Sequence, residues 1–127
     1  MDFVVLGRTN IKASKNGFGA LPIQRISKDE ATNLLQKAYH NGMNFFDTAR
    51  SYSNSEEKIG HALSHVRSHI FISTKTPALC AEDFWLDLNT SLRLLNTDYI
   101  DILQFHNPPF CPKPDGEDGL YNAMCHF

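Results

Sequence analysis

The sequence has few cysteines, no basic excess and no long apolar run, and each shortage argues against a class of protein. Its three cysteines form no C-x-x-C pair, which argues against a disulfide framework or a zinc cluster. The net charge of −2 makes nucleic acid and anionic membranes unexpected partners. No stretch approaches the roughly 20 apolar residues of a membrane span, and the N-terminus lacks the basic and apolar regions of a signal peptide. We therefore expect a cytoplasmic protein.

Two further kinds of site are not indicated. Neither G-x-G-x-x-G nor G-x-x-x-x-G-K-[ST] occurs, so the sequence predicts no Rossmann or P-loop nucleotide site. His61, His65 and His69 recur every four residues and could place two imidazoles on one helix face. No acidic third ligand accompanies them, so a solvated helix face is the better interpretation and no metal is expected.

Short apolar runs end near four landmark residues at regular intervals. Gly19, Asp47, Lys75 and His106 are separated by 28, 28 and 31 residues. Each interval suits one strand, one helix of three to four turns and two loops. Ahead of the first run, residues 3–6 and 11–14 flank Gly7-Arg8-Thr9-Asn10, which predicts a β-hairpin with a four-residue loop.

The segments between the runs carry a helical period. Ser27 and Glu30 form a capping-box pattern ahead of the first apolar stripe, and Glu56 and Glu57 suit the N-terminus of a second helix. The predicted stripes are Ala31-Leu34-Leu35-Ala38, Ile59-Ala62-Leu63-Val66, Phe84-Leu88-Ser91-Leu92-Leu95 and Leu120-Ala123-Met124-Phe127.

Strands that alternate with amphipathic helices predict a parallel sheet, either doubly wound or closed into a barrel. Polar groups at several strand ends favour the barrel, because a doubly wound sheet has its site at one switch point. A complete barrel needs about 250 residues, and this chain has 127. We therefore predict an α/β fold equal to the N-terminal half of a (β/α)₈ TIM barrel, with a hairpin in residues 1–16 and four βα units in residues 17–127.

Three strings in this sequence resemble a known family in their order and spacing. Residues 44–52 read NFFDTARSY with EEKIG at 56–60, residues 70–75 read IFISTK, and residues 98–106 read DYIDILQFH. They are similar to the signature segment, the lysine strand and the histidine strand of the aldo-keto reductase superfamily. The nearest subgroup is the ferredoxin-linked bacterial and archaeal reductases, although no cysteine cluster for an iron–sulfur group is present. The resemblance covers nearly the whole chain but half of the family's domain.

The resemblance implies a truncated NADP-dependent oxidoreductase domain over residues 1–127 that reduces an aldehyde or ketone with NADPH. It implies that Tyr52 is the general acid for the carbonyl oxygen. Lys75 would supply a positive charge that favours the tyrosinate form, and Asp47 would hold the ammonium in place. His106 would donate a hydrogen bond that orients and polarises the substrate carbonyl.

The resemblance also implies where the cofactor binds. Gly19, Ala20, Leu21, Asp47 and Asn107 are the expected contacts to the nicotinamide end of NADPH. Most contacts to the adenosine phosphate belong to the family's second half-barrel, so we expect this polypeptide alone to bind NADPH weakly or not at all.

Two functional classes stay open at the level of the sequence. The first is an aldo-keto reductase that acts on a small carbonyl substrate and is completed by missing sequence or by a complementing half-barrel chain. A homo-oligomer is an intermediate case, because two copies would both supply the catalytic half and neither the nucleotide-binding half. The second is a noncatalytic truncated fragment that associates through open barrel-strand edges, since unpaired edges invite pairing with another chain.

Overall fold

The computed structural model describes residues 1–127. Its strands are β1 Phe3–Val5, β2 Lys12–Ser14, β3 Phe18–Gly19, β4 Phe45–Asp47, β5 Phe71–Thr76 and β6 Ile102–Phe105. Its α-helices are α1 Lys28–His40, α2 Ser55–Leu63, α3 Ala81–Leu95 and α4 Leu120–His126, and short 3-10 segments cover Pro22–Arg25 and Ser64–His69. No helix combines the length and the apolar character needed to cross a membrane.

The main sheet has four parallel strands in the order β3-β4-β5-β6, so strands that are consecutive in the chain are neighbours. Each strand is followed by a helix, as the predicted βα repeat requires. The carboxyl ends of all four strands therefore lie along one edge of the sheet. Within this sheet β3 and β6 each have a partner strand on only one side.

The predicted hairpin forms a separate two-stranded antiparallel sheet in which Phe3 pairs with Ser14. The Leu6 N–H donates to the Ile11 oxygen at 3.0 Å, which encloses the four loop residues that the sequence predicts. Ser14 N–H donates to Asn44 Oδ1 at 2.7 Å. Because Asn44 immediately precedes β4, the hairpin covers the amino end of the main sheet and leaves the carboxyl ends open.

Helix α1 begins where the capping box predicts. Ser27 accepts a hydrogen bond from the backbone of Glu30, whose carboxylate accepts one from the backbone of Ser27. Ala31 and Leu35 of the predicted stripe are buried, but the prediction is wrong for Leu34, which is 45% exposed. The helix packs against α2 on one flank, and its other flank has no neighbouring helix to cover Leu34.

Helices α2 and α3 pack unusually closely at Gly60. A Cβ at this position would meet the Leu94 carbonyl oxygen and would lie 2.7 Å and 2.8 Å from the carbonyl carbon and Cα of Leu95. Only glycine allows this approach. The second helix is shorter than predicted, because α2 ends at Leu63 and Val66 lies in the 3-10 segment that follows.

The hydrophobic core lies between the sheet and the helices. Phe46 of β4 and Ile72 of β5 pack there with Leu35, Phe84 and Leu95 from the helices. Because side chains alternate along a strand, Phe45, Asp47, Ser73 and Lys75 lie on the opposite face of the sheet, which corresponds to the interior of a barrel. Helix α3 ends at Leu95 and is capped by Asn96, which adopts the left-handed conformation with φ 52°.

Candidate active site

Strand register brings Asp47 and Lys75 together at the carboxyl edge of the sheet. Asp47 pairs with Ser73 across β4 and β5, and Lys75 is two residues farther along on the same face. Lys75 Nζ donates to Asp47 Oδ2 at 2.6 Å. The side chains are 35% exposed for Asp47 and 16% exposed for Lys75, so the pair is partly shielded from solvent. The predicted pairing of these two residues is present in the structure.

A second bond fixes the position of the lysine ammonium. Lys75 Nζ also donates to the carbonyl oxygen of Thr48 at 2.8 Å. An ammonium has three donors, so one remains after these two bonds. The ammonium lies 5.5 Å from the ring centroid of Tyr52. The arrangement places a fixed positive charge, with a spare donor, beside the tyrosine.

The rings of Tyr52 and His106 contact each other at the same strand ends. Their centroids are 5.6 Å apart and their planes lie at 86°, an edge-to-face arrangement. Tyr52 comes from the loop after β4, and the backbone N–H of His106 donates to the Thr76 oxygen at 2.9 Å just after β6. The structure therefore brings all four predicted catalytic residues, Asp47, Tyr52, Lys75 and His106, to one place.

Neither ring nitrogen of His106 has a hydrogen-bond partner within the chain. Nδ1 is buried, whereas Nε2 is at least partly accessible to solvent. A neutral imidazole carries its proton on one nitrogen only. The tautomer with the proton on Nε2 leaves Nδ1 as an unpaired acceptor and avoids burying an unpaired N–H. In that tautomer the Nε2–H is the donor available to a bound group.

The predicted cofactor-contact residues lie along the same edge but differ in accessibility. Gly19 and Leu21 are exposed near the end of β3, and a Cβ at Gly19 would have nothing within 4 Å. Ala20 is fully buried, its N–H donates to the Asp47 oxygen at 2.8 Å, and its oxygen accepts from Ser55 Oγ at 3.0 Å. Asn107 is exposed and adopts φ 47° where the chain turns after His106.

Sequence reasoning missed a group of polar residues buried directly behind this edge. Glu56, interpreted as a helix N-terminal acid, is only 1% exposed and pairs with Arg50. Its carboxylate also accepts from the hydroxyls of Thr74 and Ser91, each at 2.7 Å. Arg50, which lies in the string NFFDTARSY six residues before Glu56, was the one partner close enough in sequence to suggest this buried pair. Thr74 and Ser91 are too distant along the chain to be recognised as partners.

Lys58 is a second residue that the sequence did not single out. It is 4% exposed and its ammonium donates to the oxygens of Ile23 and Ile26, at 2.9 Å and 2.7 Å. These carbonyls belong to the segment between β3 and α1. Lys58 therefore fastens the segment that follows Gly19, Ala20 and Leu21 onto α2.

The aldo/keto reductase family model matches residues 14–118 of this chain. The chain belongs to this family. Its relatives include L-galactose dehydrogenase of Arabidopsis thaliana, which is 33% identical over 120 residues that make up 83% of this chain and 38% of the relative. A probable voltage-gated potassium channel subunit beta of the same plant is 33% identical over 124 residues, or 85% of this chain and 38% of that protein.

Solved aldo-keto reductase structures share the fold. The holo form of AKR11C1 from Bacillus halodurans matches with a TM-score of 0.86 and 26% identity, and the match covers 99% of this chain and 46% of that chain. The chain thus spans less than half the length of these relatives. The predicted family and the predicted half-barrel architecture are confirmed, while the roles of individual site residues stay predictions.

Proposed function

We propose that this chain carries the proton-transfer residues of an NADPH-dependent reductase of aldehydes or ketones, with Tyr52 as the general acid. The observation that supports this proposal is the lysine ammonium held between Asp47 Oδ2 and the Thr48 oxygen at 2.6 Å and 2.8 Å, beside the Tyr52 ring. Family membership supports an oxidoreductase.

Lys75 addresses the main chemical difficulty of a tyrosine acid. A free tyrosine has a pKa of about 10 and is a reluctant proton donor near neutrality. A fixed positive charge nearby stabilises the phenolate that remains after proton transfer. Asp47 keeps the ammonium in place, so the charge need not reorganise when the phenol gives up its proton.

His106 orients the carbonyl group in this proposal. Its Nε2–H donates a hydrogen bond to the carbonyl oxygen, and Tyr52 protonates the same oxygen. The edge-to-face contact between the two rings, with centroids 5.6 Å apart, supports this arrangement because it holds both side chains at the same strand ends. Two donors converging on one oxygen stabilise the charge that develops there.

The nicotinamide end of the cofactor fits the strand-end surface of this chain. Gly19, Leu21 and Asn107 are exposed there and Asp47 is partly exposed, whereas Ala20 supports the segment from beneath. Open space above Gly19 leaves room for a planar ring to approach the backbone. When bound, NADPH supplies the hydride that reduces the carbonyl carbon.

A second candidate function is noncatalytic association through the open strand edges. The strands β3 and β6 have partners on one side only, and such edges pair readily with other chains. One relative is described as a probable voltage-gated potassium channel subunit beta, so not every relative is described as an enzyme. A half-barrel chain that binds another polypeptide is the alternative to the enzyme.

The deciding experiment compares wild type with Tyr52→Phe in NADPH-dependent reduction of small aldehydes and ketones, measured on each species resolved by size. We expect Tyr52→Phe to lower the rate by about 10²- to 10⁴-fold, the usual range for loss of a general acid. Tyr121→Phe is the matched control, because Tyr121 is exposed on α4, outside the proposed site. Equal activity of wild type and Tyr52→Phe contradicts the proposed role.

A cofactor fluorescence titration on the same samples separates the two candidate functions. We expect weak NADPH binding by the chain alone and stronger binding in any oligomer that reduces carbonyls. Micromolar binding without turnover in any species contradicts the enzyme proposal. Oligomerisation with neither binding nor turnover favours noncatalytic association through β3 or β6.

A further inference from the structure

The most deeply buried acid of the chain lies outside the proposed catalytic set. Glu56 is 1% exposed, in the first turn of α2. Its Oε1 accepts from Thr74 Oγ1 and from Ser91 Oγ, each at 2.7 Å, and its Oε2 accepts from the Arg50 guanidinium. Donors from a loop, a strand and a neighbouring helix therefore converge on a single carboxylate.

General stability is a weak reason for such an arrangement. Removing a carboxylate and a guanidinium from water is costly, and well-packed apolar side chains of similar volume often stabilise a core as much or more. Charged hydrogen bonds differ from apolar contacts in that they fix direction and distance. Glu56 thus has the properties of a group that sets a geometry.

Two of the residues that Glu56 binds lie close in sequence to Tyr52 and Lys75. Arg50 is two residues before Tyr52, and Thr74 immediately precedes Lys75 on β5. Arg50 is also joined to the strand through its backbone, since its N–H donates to the Lys75 oxygen at 2.9 Å. Through its bonds to Arg50 and Thr74, the Glu56 carboxylate adds a side-chain link between the loop of Tyr52 and the strand of Lys75 beside this backbone bond.

We propose that Glu56 is a positioning residue whose buried carboxylate holds the loop of Tyr52 against the strand of Lys75. The inference rests on the proposed function for its catalytic meaning, but the placement itself is a property of the folded chain. Glu56 acts through its bonds to Arg50 and Thr74, and its bond to Ser91 holds the carboxylate against α3.

The test reads the position of the Tyr52 ring directly and requires no turnover. The wild-type chain is prepared with ring-¹³C tyrosine, and its four tyrosine resonances are assigned with single Tyr→Phe variants. Tyr52 is a sensitive reporter, because its ring contacts the ring of His106 at 5.6 Å and the ring current depends on that distance. Tyr39, Tyr99 and Tyr121 serve as internal references within the same spectra.

Glu56→Gln is compared with Glu57→Gln, its neighbour on the exposed side of the same helical turn. Glu57 is paired with Lys28 at 3.4 Å and its side chain is 53% exposed. We expect Glu56→Gln to shift the Tyr52 resonances while the other three tyrosines stay at their wild-type positions. Glu57→Gln should leave all four unchanged.

Thr74→Val removes the bond from Thr74 to Glu56 without altering any charge. It keeps the Glu56–Arg50 pair and deletes a single hydroxyl, so it also tests the proposal if Glu56→Gln fails to fold. We expect a smaller shift of the same Tyr52 resonances. Because the formal charge stays the same, loss of a charge cannot account for that shift.

The outcomes separate positioning from mere stability and from the proposed function. A lower urea midpoint in Glu56→Gln or Thr74→Val with unmoved Tyr52 resonances overturns the positioning role. Selective movement of Tyr52 supports it, even when wild type reduces no carbonyl, in which case the proposed function fails alone. Where wild type is active, Glu56→Gln should lower kcat more than it raises KM, and an unchanged kcat contradicts the catalytic meaning of the placement.

Discussion

The two faces of the four-stranded sheet are built from alternate residues of the same strands, yet they differ in how far most of their side chains are exposed to solvent. On the helix side, Phe46, Ile72 and Thr76 are at most 2% exposed. On the opposite side, Asp47 and Lys75 are only partly buried and Gln104 is exposed. The helix side is buried against the helices by apolar packing and by hydrogen bonds from Thr74 and Thr76, whereas the other side is ordered by polar contacts between neighbouring strands.

The difference indicates that one face stabilises the half-barrel while the other holds the polar groups, a division between the two faces. The polar face holds the Asp47–Lys75 bond at 2.6 Å and the bond from Gln104 Nε2 to Ser73 Oγ at 2.8 Å. Partly exposed polar pairs contribute little to stability. The helix side must therefore supply most of the folding free energy, which leaves the strand ends of the other face available for chemistry.

The largest expected effect comes from adjacent phenylalanines on opposite faces of β4. Phe46 is fully buried in the core, and its truncation in Phe46→Ala should cost about 4 kcal/mol of unfolding free energy, within the range for buried Phe→Ala changes. Phe45 is only partly buried, and Phe45→Ala should cost about 1 kcal/mol. Urea unfolding of both variants measures the difference. Equal losses would mean that the inner face is covered in solution and would contradict the proposed division.

This contrast also explains why the fold is largely predictable from sequence. Alternation along strands and the helical stripes are local patterns, so the spacing of Phe84, Leu88 and Leu95 is enough to place them on the buried face of α3. The same reasoning is wrong for Leu34, because its exposure depends on the absence of a helix beside α1. That absence is a feature of the assembled layers and leaves no mark on the helix's own sequence.

The site is predictable where strand order decides it and unpredictable where side-chain partners decide it. Asp47 and Lys75 can be brought together because each lies at the end of a strand and the strands are neighbours. Glu56 cannot be recognised as buried, since Thr74 and Ser91 are 18 and 35 residues away along the chain. A pattern of helix-start acids describes Glu56 and Glu57 equally, and only packing distinguishes them.

Glycine replacements provide a second, somewhat smaller test of the same contrast. In Gly60→Ala the new methyl group would overlap the α3 backbone at Leu94 and Leu95, so α2 and α3 must move apart. We expect a loss of about 3 kcal/mol, at the upper end of the usual cost of overpacking. Gly19→Ala, on the polar side, introduces a methyl group with nothing within 4 Å and should change stability by less than about 0.5 kcal/mol. Thermal or urea unfolding measures both, and comparable losses would show that the helix layer is not the more tightly packed one.

The smallest expected effect lies at the solvent surface of the helix layer, in the capping box of α1. The Glu30 carboxylate accepts from the backbone N–H of Ser27 at 2.9 Å and from its hydroxyl at 2.8 Å. These bonds lower the pKa of Glu30 below its ordinary value, the backbone bond more than the hydroxyl bond. A carboxylate with a lowered folded-state pKa stabilises the fold fully above its ordinary pKa, about 4.3, and loses that contribution as the pH falls through the lower folded-state value.

Glu30→Gln should therefore be slightly less stable than wild type at pH 7, and the gap in urea midpoint should close in acid, below about pH 4.3. Asp29→Asn is the matched control, because it removes an acid from the same helical turn without touching the capping box. A gap of constant size from pH 7 into the acid range would mean that the contribution of Glu30 is not ionic. If Glu30→Gln lost as much stability as Phe46→Ala, the surface of the helix layer would contribute as much as its core. That result would contradict what the burial of the two sheet faces implies.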